Sequence, residues 1–178
     1  MPLRVSFTLS QQDLEQLHGA FRRALDTLAT RDEQTVLDEA RKLVGSVRAA
    51  SVPDYVRERV DQLEHIVTML ADPDWPLPHY VHPQAMAAVA YLVDPDDLIP
   101  DSVPVLGFLD DAIMIELIAR ELRHELTGYR NFCRYRDGRR ERSADEILAR
   151  RKQLRARVQE RRARDEARSA DRRGFRLW

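Results

Sequence analysis

Residues Ala85 to Leu92 read Ala-Met-Ala-Ala-Val-Ala-Tyr-Leu, a segment that is apolar on every side. A helix of this kind, opened by Pro83 and running from Gln84 to Val93, has no polar face to turn toward water. It therefore belongs at the centre of a bundle, with other helices packed around it.

The rest of the chain supplies those helices. Ser10 followed by Asp13 marks a helix start, and Leu14, Leu17, Phe21, Leu25 and Leu28 recur behind it at helical spacing. Thr30 and Glu33 have the spacing of a capping box ahead of the stripe Val36, Ala40, Leu43, Val44 and Val47. Pro53 suits a first helical position, since its missing N–H would be unpaired there, and Val56, Val60, Leu63, Val67 and Leu70 follow until Asp72-Pro73 ends the helix. Three prolines surround Trp75 between Pro73 and Pro78, which predicts a turn that buries an aromatic ring. A fifth helix runs from about Asp110 to Tyr135 on the stripe Met114, Ile118, Leu122, Leu126, Tyr129 and Cys133. Ser143 with Glu146 is a second capping box, opening a last helix to about Ala170. No strand-period alternation and no internal repeat occurs. The expected fold is all-α, a compact bundle of about five helices with a projecting basic C-terminal helix. The apolar residues of that last helix, Ile147, Leu148, Leu154 and Val158, are too sparse for a core-facing stripe, so it is expected to project or fray until a partner orders it.

The formal net charge of −1 conceals a division. Residues 134–178 carry 17 Lys/Arg against 8 Asp/Glu, leaving 12 against 22 in the residues before them. An acidic bundle, residues 1–136, thus carries a basic helical or partly disordered tail, residues 137–178, and such asymmetry bears on partners. Arg150, Arg151, Lys152, Arg155, Arg157, Arg161, Arg162 and Arg164 can meet phosphates of RNA, DNA or anionic lipid. Interleaved acids such as Glu146 and Glu160 also allow a solvated helix laced by i, i+4 pairs with Arg150 and Arg164.

Between the two apolar helices lies a run with fixed letters: Pro95-Asp96-Asp97-Leu98-Ile99-Pro100-Asp101, then Pro104-Val105-Leu106-Gly107-Phe108-Leu109-Asp110-Asp111. An apolar helix, a Pro-x-Asp-Leu-Ile-Pro-Asp turn, a Pro-x-x-Gly-aromatic-x-Asp-Asp connection and a second apolar helix resemble the YkvA family, over roughly Ala85 to Ala119. The resemblance implies a helical hairpin and, for some members, association with membranes. That family is catalogued as a domain of unknown function and implies no activity, cofactor or catalytic residue. Read by itself, the connection is proline-stiffened and apolar enough to pack down, so it is expected to be a rigid link between the helices.

Asp96, Asp97, Asp101, Asp110 and Asp111 gather carboxylates there, the oxygen ligands that Mg2+ or Ca2+ takes. No EF-hand spacing is present, and Asp94, Asp97 and Asp110 are equally accounted for as turn and helix caps. Glu15-x-x-His18 and Glu121-x-x-His124 have the i, i+3 spacing of di-iron bundles, but the two bridging glutamates of such a site are not identifiable. Glu121 and Glu125 lie near the fifth helix's stripe, where ion pairs with Arg57, Arg59 or Arg120 would hold them.

No nucleophile elbow, phosphate-binding glycine loop or dinucleotide fingerprint occurs, so catalysis is unsupported by motif. Cys133 is the single cysteine, which excludes an intramolecular disulfide and a four-thiolate zinc site. The first residues carry no signal-like apolar run, and no stretch approaches the ~20 apolar residues of a membrane span. The expectation is a protein that is cytoplasmic or peripheral to the membrane and acts as a non-enzymatic helical interaction or adaptor protein through its basic tail. The alternatives are a divalent-metal-dependent activity at the acidic connection and a peripheral membrane protein.

Overall fold

The computed structural model describes residues 10–28, 31–50, 52–93, 109–138 and 141–169. Among the described residues there are seven helices and no strand: α1 (Gln11–Leu28), α2 (Glu33–Ala49), α3 (Asp54–Ala71), α4 (His82–Leu92), α5 (Leu109–Glu121), α6 (Arg123–Arg136) and α7 (Ala144–Ser169). The class is all-α, as the spacing predicts. Helix α4 sits at the centre: Ala85 to Ala90 and Leu92 are all buried, and α1, α2, α3 and α5 pack around it. Helices α2 and α3 lean on each other, and their stripes Val36, Ala40, Val44, Val47 and Val56, Val60, Leu63, Val67 all enter the core.

Helix α3 ends where proline forbids continuation, with Asp72 at its C-terminal cap. Trp75 in the following turn is fully buried, its ring 5.2 Å from Phe132 and 6.1 Å from Tyr129. The Asp72 carboxylate fastens this corner, accepting from the Tyr129 hydroxyl at 2.9 Å and from Arg136 at 2.8 Å. Burial, ahead of its hydrogen bonds, pushes the Tyr129 hydroxyl's pKa upward.

Three expectations change. Helix α2 starts at Glu33 with Asp32 as its cap, whose carboxylate accepts from the Thr35 backbone N–H at 2.9 Å, while Thr30 lies outside the described residues. A carboxylate one residue before the helix satisfies the same orphan donor as a hydroxyl further back. The long fifth helix is two helices, α5 and α6, interrupted at Leu122, where the Arg123 guanidinium donates to the Arg120 carbonyl at 3.0 Å. A side chain that takes a carbonyl from the ladder is a recognised cause of such a break.

The third correction is the largest: α7 does not project. It lies antiparallel along α6, with Leu154 and Val158 buried and Ile147 packed at the rim of the core. Its N-terminus is the reciprocal capping box of Ser143 and Glu146, at 3.0 and 3.2 Å. Two apolar residues suffice because arginines complete the buried face. The guanidinium of Arg155 lies 4.1 Å over the Trp75 ring, that of Arg150 5.4 Å over Tyr135, and that of Arg162 5.3 Å over Tyr80. Gly128 permits the approach, since a Cβ built there would stand 2.6 Å from Val158 and 3.1 Å from Trp75.

Candidate functional site

Asp96, Asp97 and Asp101 lie outside the described residues. Of Asp110 only the backbone, in the first turn of α5, is described. Asp111 is buried and borders a cavity of about 10 Å3, hardly the volume of one water, among Val47, Val60, Leu63 and Ile115. Among the described residues, no three His, Cys, Asp or Glu side chains stand close enough to hold a metal ion. His124 turns to α7, its Nε2 2.8 Å from Asp165 Oδ2, rather than joining Glu121 at a metal. Glu15 is exposed on α1, and the side chain of His18 lies outside the described residues.

Glu125 has other partners than the arginines expected for it. Its carboxylate, 1 % exposed, lies 2.5 Å from Arg155 and 3.8 Å from Arg162, both on α7. Burial pushes its pKa up, against the pull of the two guanidinium groups, and the same burial pushes Arg155 down. Arg155 also donates to the carbonyls of Trp75, at 3.2 Å, and of Pro76.

The tail's basic residues thus divide. Arg151 donates to the Asp74 carbonyl at 3.0 Å, and Arg150 donates to Gln153 at 2.7 Å. Arg151, Arg155 and Arg162, with the Arg150 guanidinium over Tyr135, hold α7 to the body. Lys152, Arg157 and Arg161 are exposed and have no ionic partner among the described residues, as does Arg168, while Arg164 has a 4.0 Å contact to Glu160. Residues 157, 161, 164 and 168 follow one another by 4, 3 and 4, which places them on one flank of the helix.

That flank has a neighbour that the sequence reading passed over. The opposite flank, with Lys152, Arg155 and Gln159, faces the turn Pro76–Pro78. On the exposed face of α6, Arg123, Arg130 and Arg134 stand at i, i+7 and i+11, and Arg123 reaches α7 at Asp165. Arg123 is bound to Asp165 at 2.5 Å, which holds the Asp165 carboxyl below its ordinary pKa; Arg130 and Arg134 have no ionic partner among the described residues. The spacing on α6 was the available signal. Counting charge by segment hid it, because Arg123 and Arg130 fall in the acidic portion.

The face can attract phosphate groups by charge, and arginine can grip them with paired N–H donors. Among the described residues, the Tyr135 ring is covered by Arg142, at 4.1 Å, and by Arg150.

Residues 84–117, the central helix, the connection and most of α5, match the family described as a protein of unknown function, DUF1232. Over 43 residues the chain is 46 % identical to the "Uncharacterized membrane protein YkvA" of Bacillus subtilis (strain 168). That stretch is 24 % of this chain and 41 % of the relative, so the chain spans well under half of the relative's length. No solved structure matches.

Proposed function

Taking residues 84–117 as a YkvA-like hairpin of the DUF1232 family, we propose that this is a non-enzymatic interaction protein that attaches to an anionic membrane surface through the basic face of α6 and α7. The observation that carries the reading is the set Arg157, Arg161 and Arg168 on α7 with Arg130 and Arg134 on α6, each exposed and without an ionic partner among the described residues. Each basic residue held near an acidic bilayer contributes about 1 kcal/mol, so a few suffice for reversible attachment. The acidic lipids of a cytoplasmic leaflet are the natural counterpart. The relative's name, a membrane protein, supports the same direction, and no described helix is long and apolar enough to cross a bilayer.

The test is sedimentation with vesicles of phosphatidylcholine alone or mixed with phosphatidylglycerol, at low and high salt. Binding is expected only with the anionic lipid, weakening as salt screens the charges. Reversing three charges in R157E/R161E/R168E is expected to weaken it at least about a hundredfold. Equal binding to neutral vesicles, or binding that the triple variant retains, would rule the basic face out.

A further inference from the structure

A groove of about 210 Å3 runs between α3 and the α5–α6 segment, walled by Gln62, His65, Ala119, Arg123, Leu126 and Arg130. Gln62 lines the groove; the oxygen of its amide is enclosed without a hydrogen-bond partner, and its NH2 is a donor with no partner among the described residues. His65 has its Nδ1 2.6 Å from the Asp61 carbonyl oxygen, a contact that requires the proton on Nδ1 and leaves Nε2 free. Arg123 is held in place by Asp165 and the Arg120 carbonyl, and its charge stays at the wall. Arg130 is exposed, with no ionic partner among the described residues. The neighbouring carboxylates are already engaged, Asp61 by Arg48 at 2.8 Å and Asp165 by Arg123.

We infer that this groove is a binding site for a small phosphate group, a phosphate monoester in solution or the phosphomonoester headgroup of a lipid, held by Arg130, the Gln62 amide and His65 Nε2. The unused groups that converge on it are the free Arg130 guanidinium and an amide donor, beside the Arg123 guanidinium already paired with Asp165, and they favour an anion. His65 Nε2 accepts from a singly protonated phosphate when the ring is neutral and donates to it when the ring is charged, whereas a carboxylate has no O–H to offer. The volume lies below the ~300 Å3 at which drug-sized pockets begin, and limits the ligand to a small group lying on Ala119 and Leu126. Arg130 belongs to both readings, but the inference does not rest on the membrane reading, because Arg157, Arg161 and Arg168 do not line the groove.

The test is a side-chain NMR titration of the full chain at constant ionic strength, following the Gln62 amide, the His65 ring and the Arg130 guanidinium. The probes are inorganic phosphate, glycerol 3-phosphate, and phosphatidylcholine vesicles with or without phosphatidic acid. One saturable isotherm shared by the three residues is expected, weakened about tenfold in R130Q and unchanged in K42Q, whose lysine is exposed on α2 outside the groove. Saturation by glycerol 3-phosphate identifies a soluble ester, and saturation only by phosphatidic acid vesicles identifies a lipid headgroup. No saturation by any probe up to about ten times a millimolar dissociation constant, or equal effects of R130Q and K42Q, overturns the site. The R157E/R161E/R168E variant is expected to keep the isotherm for glycerol 3-phosphate while losing vesicle attachment, so the two readings fail separately.

Discussion

Arg155 of α7 holds a guanidinium nitrogen 2.5 Å from the carboxylate of Glu125 on α6, and the two side chains are 16 % and 2 % exposed. The pair joins the basic tail to the acidic body across a surface that also carries Trp75 and Phe132. Taking two charges out of water offsets much of their attraction, while leaving one of them alone in the interior is worse. R155M is therefore expected to destabilise the fold by about 3 kcal/mol, because Arg162, at 3.8 Å, is a poor substitute. The double variant E125L/R155M is expected to recover most of that loss. Urea denaturation of the two variants beside the parent checks both; equal stability of R155M and parent would remove the pair's structural role.

The same carboxylate gives a pH signature. Burial raises the folded-state pKa of Glu125 above its ordinary 4.5. The folded protein then keeps this proton at pH values where the unfolded chain has lost it. The resulting contribution to stability is complete below 4.5 and is lost as pH rises through the folded value. Glu64 and Asp165, held below 4.5 and 3.8 by Arg48 and Arg123 first of all, act in the opposite sense at lower pH. The stability of the parent relative to E125Q is therefore expected to increase as pH falls from neutral toward 4.5, which denaturation at a series of pH values measures. A difference that stays constant over that window would contradict the shift.

What the sequence made legible and what it hid follow from where the partners lie. The all-round apolar run Ala85–Leu92, the α3 stripe and the capping box of Ser143 with Glu146 are local patterns, and all three are in place. The buried Trp75 was readable from the prolines around it. The docking of α7 was not, because its buried face is made of Leu154, Val158 and the stems and heads of Arg150, Arg155 and Arg162, and a pattern reading scores every arginine as solvent-facing. The partner of Glu125 lies 30 residues away on another helix, beyond any local spacing rule. The basic surface divided for the same reason: contact, not composition, decides which arginines stay free.

At Gly128 of α6, Val158 of α7 leaves no room for a Cβ. A Cβ there would meet the stiff Val158 side chain at 2.6 Å and the Trp75 ring at 3.1 Å. Alanine adds up to about 1 kcal/mol of helix preference, but a clash in a packed core costs about 1–3 kcal/mol, so G128A is expected to be net destabilising. G128A/V158A should lose less stability than the sum of its single variants, since the smaller residue 158 vacates the space. Thermal unfolding of the four proteins of this cycle tests it, and strict additivity would show that the two residues do not compete for that space.

Cutting the tail away and recharging it should have different consequences. Removing residues 144–178 uncovers Trp75 and the α6 face and takes away Leu154 and Val158, whose burial is worth about 1.5–3 kcal/mol each. A chain ending at Ser143 is therefore expected to unfold at markedly lower urea concentration than the parent, or to aggregate through the exposed aromatic corner. By contrast, Arg157, Arg161 and Arg168 touch nothing that holds α7 down, and each surface change should stay within about 0.5 kcal/mol. If the truncated chain proved as stable as the parent, the packing of α7 would be energetically idle and the tail could be treated as a separate element. If R157E/R161E/R168E instead unfolded like the truncated chain, its vesicle result would say nothing about charge, so circular dichroism of that variant belongs beside the sedimentation experiment.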